Sequence, residues 1–273
     1  MSNQNNDENW NGYQDILLPL GHKDDVNNLS DLSPLLLAEE EGTIHLLHIM
    51  IEGKYSKLPR EWRIASKRVS ESHHALMRKG IASETHMVTA KSLESGMLSQ
   101  AQESDCDMIL LGWGPKPKSS ISKLITKVMS DADCDVIVFK ARSQPEEIKE
   151  IVYPVALKPD DRRLRLIGRV MKNTGAKLTF AHVVRPGKDD WDSAKKMLKD
   201  LQKTTADIGI ESDTRLCSNR DPVEELIDIS SDYDLMVLGP SRGWWLNKAL
   251  FGHKTDHIAS ACHCSVLMHK NPE

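Results

Sequence analysis

Short, almost wholly apolar runs alternate along this chain with longer stretches in which apolar residues recur every three or four positions. In the first half the runs are Ile16–Leu20, Ile44–Ile51, Met108–Leu111 and Val136–Phe139. Runs this short, without polar alternation, are expected of parallel strands covered on both faces. Between them, Val26–Glu41 keeps Leu29, Leu32 and Leu36 at helical spacing, and Glu61–Lys79 sets Ile64, Val69, Leu76 and Met77 among charges. Gly42 and Gly80 follow these stretches where C-cap glycines belong. The second half repeats the pattern with Asp161–Thr174 closed by Gly175 and Trp191–Ile208 closed by Gly209. The predicted order is β-α-β-α-β-α-β-α-β, twice, which is the α/β class with doubly wound, parallel five-stranded sheets.

The two halves are copies of one unit. Asp15-Ile-Leu-Leu-Pro-Leu20 matches Glu150-Ile-Val-Tyr-Pro-Val155, and Ile44-His-Leu-Leu-His-Ile-Met50 matches Leu178-Thr-Phe-Ala-His-Val-Val184. Ser104-Asp-Cys-Asp-Met-Ile-Leu-Leu-Gly112 matches Ser231-Asp-Tyr-Asp-Leu-Met-Val-Leu-Gly239, and Cys134-Asp-Val-Ile-Val-Phe-Lys140 matches Cys264-Ser-Val-Leu-Met-His-Lys270. The offsets of 135, 134, 127 and 130 residues are too long for a solenoid repeat. The expected layout is a disordered segment over 1–13, one domain over 14–142 and a second over 148–270. Ala141–Glu150 is the linker.

Composition narrows the function classes. The chain has 39% apolar and 28% charged residues, as a folded globular protein does, and only 5% aromatics, so its core is mainly aliphatic. The net charge is −4, and neither half has the basic excess that a nucleic-acid backbone demands. No apolar run approaches the ~18 residues of a spanning helix, and Met1–Tyr13 lacks a signal-peptide core. A cytoplasmic protein is expected, without membrane insertion. Its five cysteines, at uneven spacing, read as buried small hydrophobes.

The strand motifs Ile16-Leu-Leu-Pro-Leu20, Leu46-Leu-His-Ile49, Asp107-Met-Ile-Leu-Leu-Gly112 and Cys134-Asp-Val-Ile-Val138, in this order and repeated, resemble the universal stress protein domain. The resemblance covers both copies. It implies an adenine nucleotide alpha hydrolase-like fold, and a pseudo-dimer within one chain in which Val136–Phe139 faces Val266–Met268. The loops Leu111-Gly-Trp-Gly114 and Cys134-Asp-Val are also similar to family domains attached to amino-acid and cation transporters.

In the nucleotide-binding branch of that family, a Gly-x-x-Gly, nine residues and a Gly-(Ser/Thr) follow strand four. Glycines let backbone amides approach phosphates at a helix start. The second copy has Gly239-Pro-Ser-Arg-Gly243 and then Gly252-His253. Gly239 and Gly252 hold the outer positions, Gly243 is displaced by one, Arg242 stands in the middle register and His253 replaces the hydroxyl residue. Ala156 stands where the family carries an acid after strand one. The resemblance thus implies ATP or another adenine nucleotide at Gly239, Arg242, Gly243, Gly252, His253 and Ala156. Two structural readings stand beside it: a strand-exit turn at Gly239 and close helix packing at Gly252. The first copy has Gly112 and Gly114, but Ile125 replaces the second phosphate glycine and Gly21 the strand-one acid, so a family-type site is not expected there. Lys116, Lys118, Ser119 and Ser120 form an alternative anion-holding loop.

Other constellations carry less. His253, His257, Cys262, His263, Cys264 and His269 suggest a metal, yet the cysteines are one residue apart rather than two to four. No metal is expected. His48 and His182 recur on strand two and read as packed, hydrogen-bonded histidines. No nucleophile elbow, Walker A sequence or dinucleotide glycine motif is present. Arg162, Arg165 and Arg169 share a helical face opposite Leu164, Ile167 and Met171 and read as a solvated row. Trp244-Trp245 reads equally as a lid on the glycine loop or as a partner surface.

The first reading is a non-enzymatic regulatory or stress-response protein biased by a ligand in the second copy. The alternatives are a ligand-free scaffold touching a transporter or other protein through Trp244, Trp245 and the Pro115–Ser120 loop, and a weak ATP hydrolase. The loss of acids at Gly21 and Ala156 argues against the hydrolase.

Overall fold

The computed structural model describes residues 10–21, 23–39, 42–53, 59–113, 119–155, 159–239 and 253–272. The first half runs β1 (Asp15–Pro19), α1 (Lys23–Leu36), β2 (Thr43–Ile51), α2 (Pro59–Arg78), β3 (Ala82–Ala90), α3 (Leu93–Glu103), β4 (Met108–Gly112), α4 (Ser119–Asp131) and β5 (Asp135–Lys140). After a single 3-10 turn (Pro145–Glu147) the second half repeats the series. It runs β6 (Glu150–Pro154), α5 (Asp161–Thr174), β7 (Lys177–Val184), α6 (Trp191–Ala206), β8 (Ser212–Ser218), α7 (Pro222–Ile229), β9 (Leu235–Leu238), α8 (His253–Ala261) and β10 (Ser265–Lys270).

All ten strands form one sheet in the order β3-β2-β1-β4-β5-β10-β9-β6-β7-β8. Within each half the pairs are parallel, so the two units are doubly wound five-stranded sheets of one topology. The halves join through β5 and β10, which pair antiparallel with Val138 opposite Met268. The last strands thus face each other in the pseudo-dimer arrangement that the sequence resemblance implies.

Burial on both sides explains the apolar runs. One core layer lies under α1, α2, α5 and α6 and includes Leu32, Leu76, Ile167 and Leu198. The other lies under α3, α4, α7 and α8 and includes Met97, Val128, Ile229 and Ala259. Each layer runs across the seam without a break. The shared Asp-x-Asp before strand four also has a physical cause. Asp107 accepts the amides of Gln14 and Asp15 at 2.9 and 3.1 Å, and Asp234 accepts those of Lys149 and Glu150 at 2.8 and 2.9 Å. Each carboxylate pins the entry to strand one of its half.

Three expectations change. The first helix spans Lys23–Leu36 rather than Val26–Glu41, because Leu37 leaves it to bridge Tyr13. Residues 1–9 lie outside the described residues, but Tyr13, expected in a disordered segment, is buried and packs edge-on against Trp10. The arginine row on α5 is a solvated face only at its start, where Arg162 is exposed. Arg169 is buried, its Nε donating to the Leu37 carbonyl at 2.9 Å and its Nη1 to Glu39 at 3.1 Å. Asn173 donates to the Leu35 carbonyl at 2.8 Å. The side of α5 that would face water in one domain meets α1 of the other, so its cation and amide satisfy carbonyls at the α1 C-terminus. Lys140 does the same on the opposite face, donating to the Ala259 and Ser260 carbonyls of α8 at 2.6 and 2.7 Å.

Candidate functional site

In an open α/β sheet, ligands bind beyond the carboxyl ends of the strands where the strand order reverses. That point lies between β1 and β4 in the first half and between β6 and β9 in the second. The two mouths are built differently.

In the second half, β9 exits through Gly239. The α5 helix starts beside it, N-capped by Asp160, whose carboxylate accepts the Arg163 amide at 3.0 Å. Arg163 therefore sits in the first turn and lays its guanidinium over the strand ends. Its Nη1 donates to the Tyr153 hydroxyl at 3.1 Å and its Nη2 to the His269 carbonyl at 3.0 Å. A Cβ added to Gly239 would lie 2.6 Å from Arg163 Cζ. Glycine at this position thus permits the guanidinium to lie against the backbone. Its Nε is buried and has no partner among the described residues. A guanidinium carries five N–H donors in a fixed fork. Two are committed to Tyr153 and His269, and the rest, with the start of α5, offer positive potential to an anion. On β7, His182 hydrogen-bonds the Val155 carbonyl through Nδ1 at 2.6 Å and closes the back of the mouth.

In the first half, Gly112 is followed by Trp113 where the second half has Pro240. Trp113 is buried against the α4 face of the sheet, and its amide donates to the Phe139 carbonyl at 2.8 Å. Arg68 of α2 is committed to the Gly21 carbonyl at 2.8 Å. Burial, and then the charge of Arg68, push the His48 imidazole below its ordinary value, so it is neutral. The strand-four glycine of the first half is thus followed by a buried indole, and no guanidinium is described against it as Arg163 is against Gly239.

A polar network holds the seam beside the second mouth. Asp135, at the start of β5, accepts from the Tyr13 hydroxyl at 2.7 Å, from Arg162 Nη1 at 3.1 Å, and contacts His269 Nε2 at 3.0 Å. The His269 side chain is fully buried and that of Asp135 nearly so. Burial alone would raise the Asp135 carboxyl. The bonds from His269 and Tyr13 and the charge of Arg162 outweigh it and hold the group below the usual carboxylate range. At the other end of the seam the equivalent residue is Ser265, whose hydroxyl accepts the Arg142 and Ser143 amides at 2.9 and 3.3 Å.

Among the residues anticipated for a site, Gly239 lies at the second mouth. Ala156, Arg242, Gly243 and Gly252 lie outside the described residues, as do Trp244, Trp245 and most of the Pro115–Ser120 loop. For His253 only its place at the start of α8 is described. Arg163 was missed by sequence reasoning. The helical spacing singled out its neighbours, and the signal that finds Arg163 is its position three residues after the capping Asp160. Among the described residues weighed as metal ligands, His269 contacts Asp135, His257 reaches Glu224 at 3.4 Å, and Cys262 and Cys264 are buried. A cleft of about 560 Å³ opens at the opposite, amino-terminal end of β4 and β5, beside Asp105, Asp107, Asp133, Cys106 and Cys134. Burial drives both of its thiols up to about 12, so they are protonated and inert at neutral pH.

Residues 147–270 match the Universal stress protein family. No curated protein matches the chain. Among solved structures, a universal stress protein from Archaeoglobus fulgidus is 17% identical, with 95% of this chain and 97% of that one covered and a TM-score of 0.64. A putative universal stress protein from Pseudomonas aeruginosa is 16% identical, with 95% and 94% covered and a TM-score of 0.65. The cytoplasmic domain of a prokaryotic cation chloride cotransporter is 11% identical, with 96% of each covered and a TM-score of 0.66. At these identities the likeness is one of fold, and it extends over both halves. Among the described residues, no helix is long and apolar enough to cross a membrane.

Proposed function

We propose that this chain, whose residues 147–270 form a universal stress protein domain, is a non-enzymatic, cytoplasmic regulatory protein that takes one adenine nucleotide in its second half. The observation that carries the reading is the Arg163 guanidinium held against Gly239 at the point where the strand order reverses. A nucleotide phosphate there meets a cation already fixed in place, which limits the ordering cost of binding. On this reading Arg242, Gly243 and Gly252, which follow Gly239 in the sequence, would supply the rest of the phosphate loop. Asp160, beside Arg163 at the start of α5, already accepts the Arg163 amide on one oxygen and Asn271 Nδ2 on the other at 2.7 Å, which leaves it a weaker candidate to hold a metal on the phosphates. The reading is therefore retention rather than hydrolysis. The first half, which lacks the second phosphate glycine, acts as a fixed partner.

The test is equilibrium binding of ATP, ADP and AMP to the wild type and to Arg163→Met. One nucleotide per chain is expected, bound about tenfold more weakly by the variant, since a charge-assisted hydrogen bond contributes roughly 1.5–3 kcal/mol. No binding by any of the three would transfer the function to a ligand-free scaffold that contacts a transporter or another protein through Trp244 and Trp245.

A further inference from the structure

The outer edge of the first half carries a cluster unconnected with either mouth. On β2, His45 points to the same face as Leu47, towards α3. On β3, Glu84 lies directly opposite His45, and His86 follows two residues on, on the same face. His45 Nδ1 and His86 Nε2 are 3.1 Å apart. Glu84 Oε2 lies 3.7 Å from His45 Nδ1 and 3.8 Å from His86 Nε2. Two nitrogens and one oxygen bound at about 2.0–2.1 Å to a tetrahedral cation would stand about 3.3–3.5 Å apart, and the three separations bracket that figure.

The surroundings fit a cation. His45 Nε2 is 2.8 Å from Asp15 Oδ1. With Nε2–H donating to that carboxylate, the Nδ1 lone pair faces His86, the support usual behind a metal-bound imidazole. Asp15 is in turn held by Asp107 through its amide. Glu103 adds negative charge from α3. The Glu84 side chain is 63% exposed, so a position on the solvent side stays open.

The second half supplies the contrast. The equivalent positions are Thr179, Asp213 and Arg215, and Arg215 donates to Asp232 at 2.7 Å. An arginine cannot ligate and brings a positive charge. The cluster is therefore a property of the first half and not of the shared fold.

We propose that His45 Nδ1, His86 Nε2 and the Glu84 carboxylate form a binding site for one divalent first-row transition cation, zinc in class, with Asp15 orienting His45 and one coordination position open to solvent.

The test uses the full chain stripped with a chelator and titrated with Co²⁺, then with Zn²⁺. The expected result is one cobalt per chain with the visible bands of a four-coordinate N/O site, displaced by one zinc. His86→Gln and Glu84→Gln, both at an edge strand, should keep the circular dichroism spectrum of the wild type. His86→Gln should weaken zinc binding about 100-fold or more. His257→Gln, on a remote helix, should bind as the wild type does. Absence of the bands at millimolar cobalt, or bands that survive His86→Gln unchanged, would overturn the proposal. Neither outcome bears on nucleotide binding in the second half.

Discussion

The two halves share strand order, helix order and strand-entry aspartates, yet they place their chemistry at opposite ends of the strands. In the second half the open feature is at the carboxyl end, where Gly239 and Arg163 meet. In the first half Trp113, after the strand-four glycine, is buried in the core on the α4 side, and the donor cluster is at the amino-terminal side of the outer strands, on His45, Glu84 and His86. The difference teaches that a duplicated fold fixes where side chains can converge, while single substitutions decide whether anything binds there. Trp113 against Pro240 and His86 against Arg215 are two such substitutions.

The seam is where the comparison is easiest to break. Asp135→Ala removes the carboxylate from buried His269 and Tyr13 and should cost about 3–5 kcal/mol in urea unfolding. Ser265→Ala, at the pseudo-equivalent end, should cost about 1 kcal/mol. Equal losses would mean that the seam is energetically symmetric despite its unlike ends. His86→Arg gives the first half the residue of the second. It should lower zinc affinity by about 100-fold or more while leaving ATP binding unchanged, as read by competition with a chromophoric chelator. Arg163→Met acts on the other half only, weakening ATP binding about tenfold and leaving zinc binding as it was.

A gentler test lies in the paired strand-entry aspartates. Burial raises the Asp107 carboxyl to about 6, against the amide hydrogen bonds that lower it. A carboxyl raised in the folded state contributes stability that is complete below its unfolded value of about 3.9 and is lost as pH rises through about 6. The slope is at most about 1.4 kcal/mol per pH unit. Unfolding measured from pH 4 to 7 should show this decline, and Asp107→Asn should remove it.

The architecture was legible because its causes are local. Strands buried on both faces read as apolar runs, and the ordered matches between Asp15–Lys140 and Glu150–Lys270 mark two copies. Gly239 was legible as a strand-exit glycine. Arg163 was not, because its role depends on reaching across three strand ends rather than on its place along a helix face. Arg169 was misread for a related reason: helical spacing defines inside and outside for one domain, and the partner half reverses it. The His45 cluster was invisible for want of register. Its donors come from two strands almost forty residues apart, and β3, at the sheet edge, lacks the apolar run that would locate it. His48, three residues along, drew attention because it recurs in the second half, whereas His45 matters because it does not.

The most direct test of the central claim is equilibrium dialysis of ATP against the wild type, Arg163→Met and His86→Arg. One ATP per chain, weakened about tenfold by Arg163→Met and untouched by His86→Arg, is the predicted result. No bound ATP, two per chain, or equal affinity in wild type and Arg163→Met would contradict a nucleotide site confined to the second half.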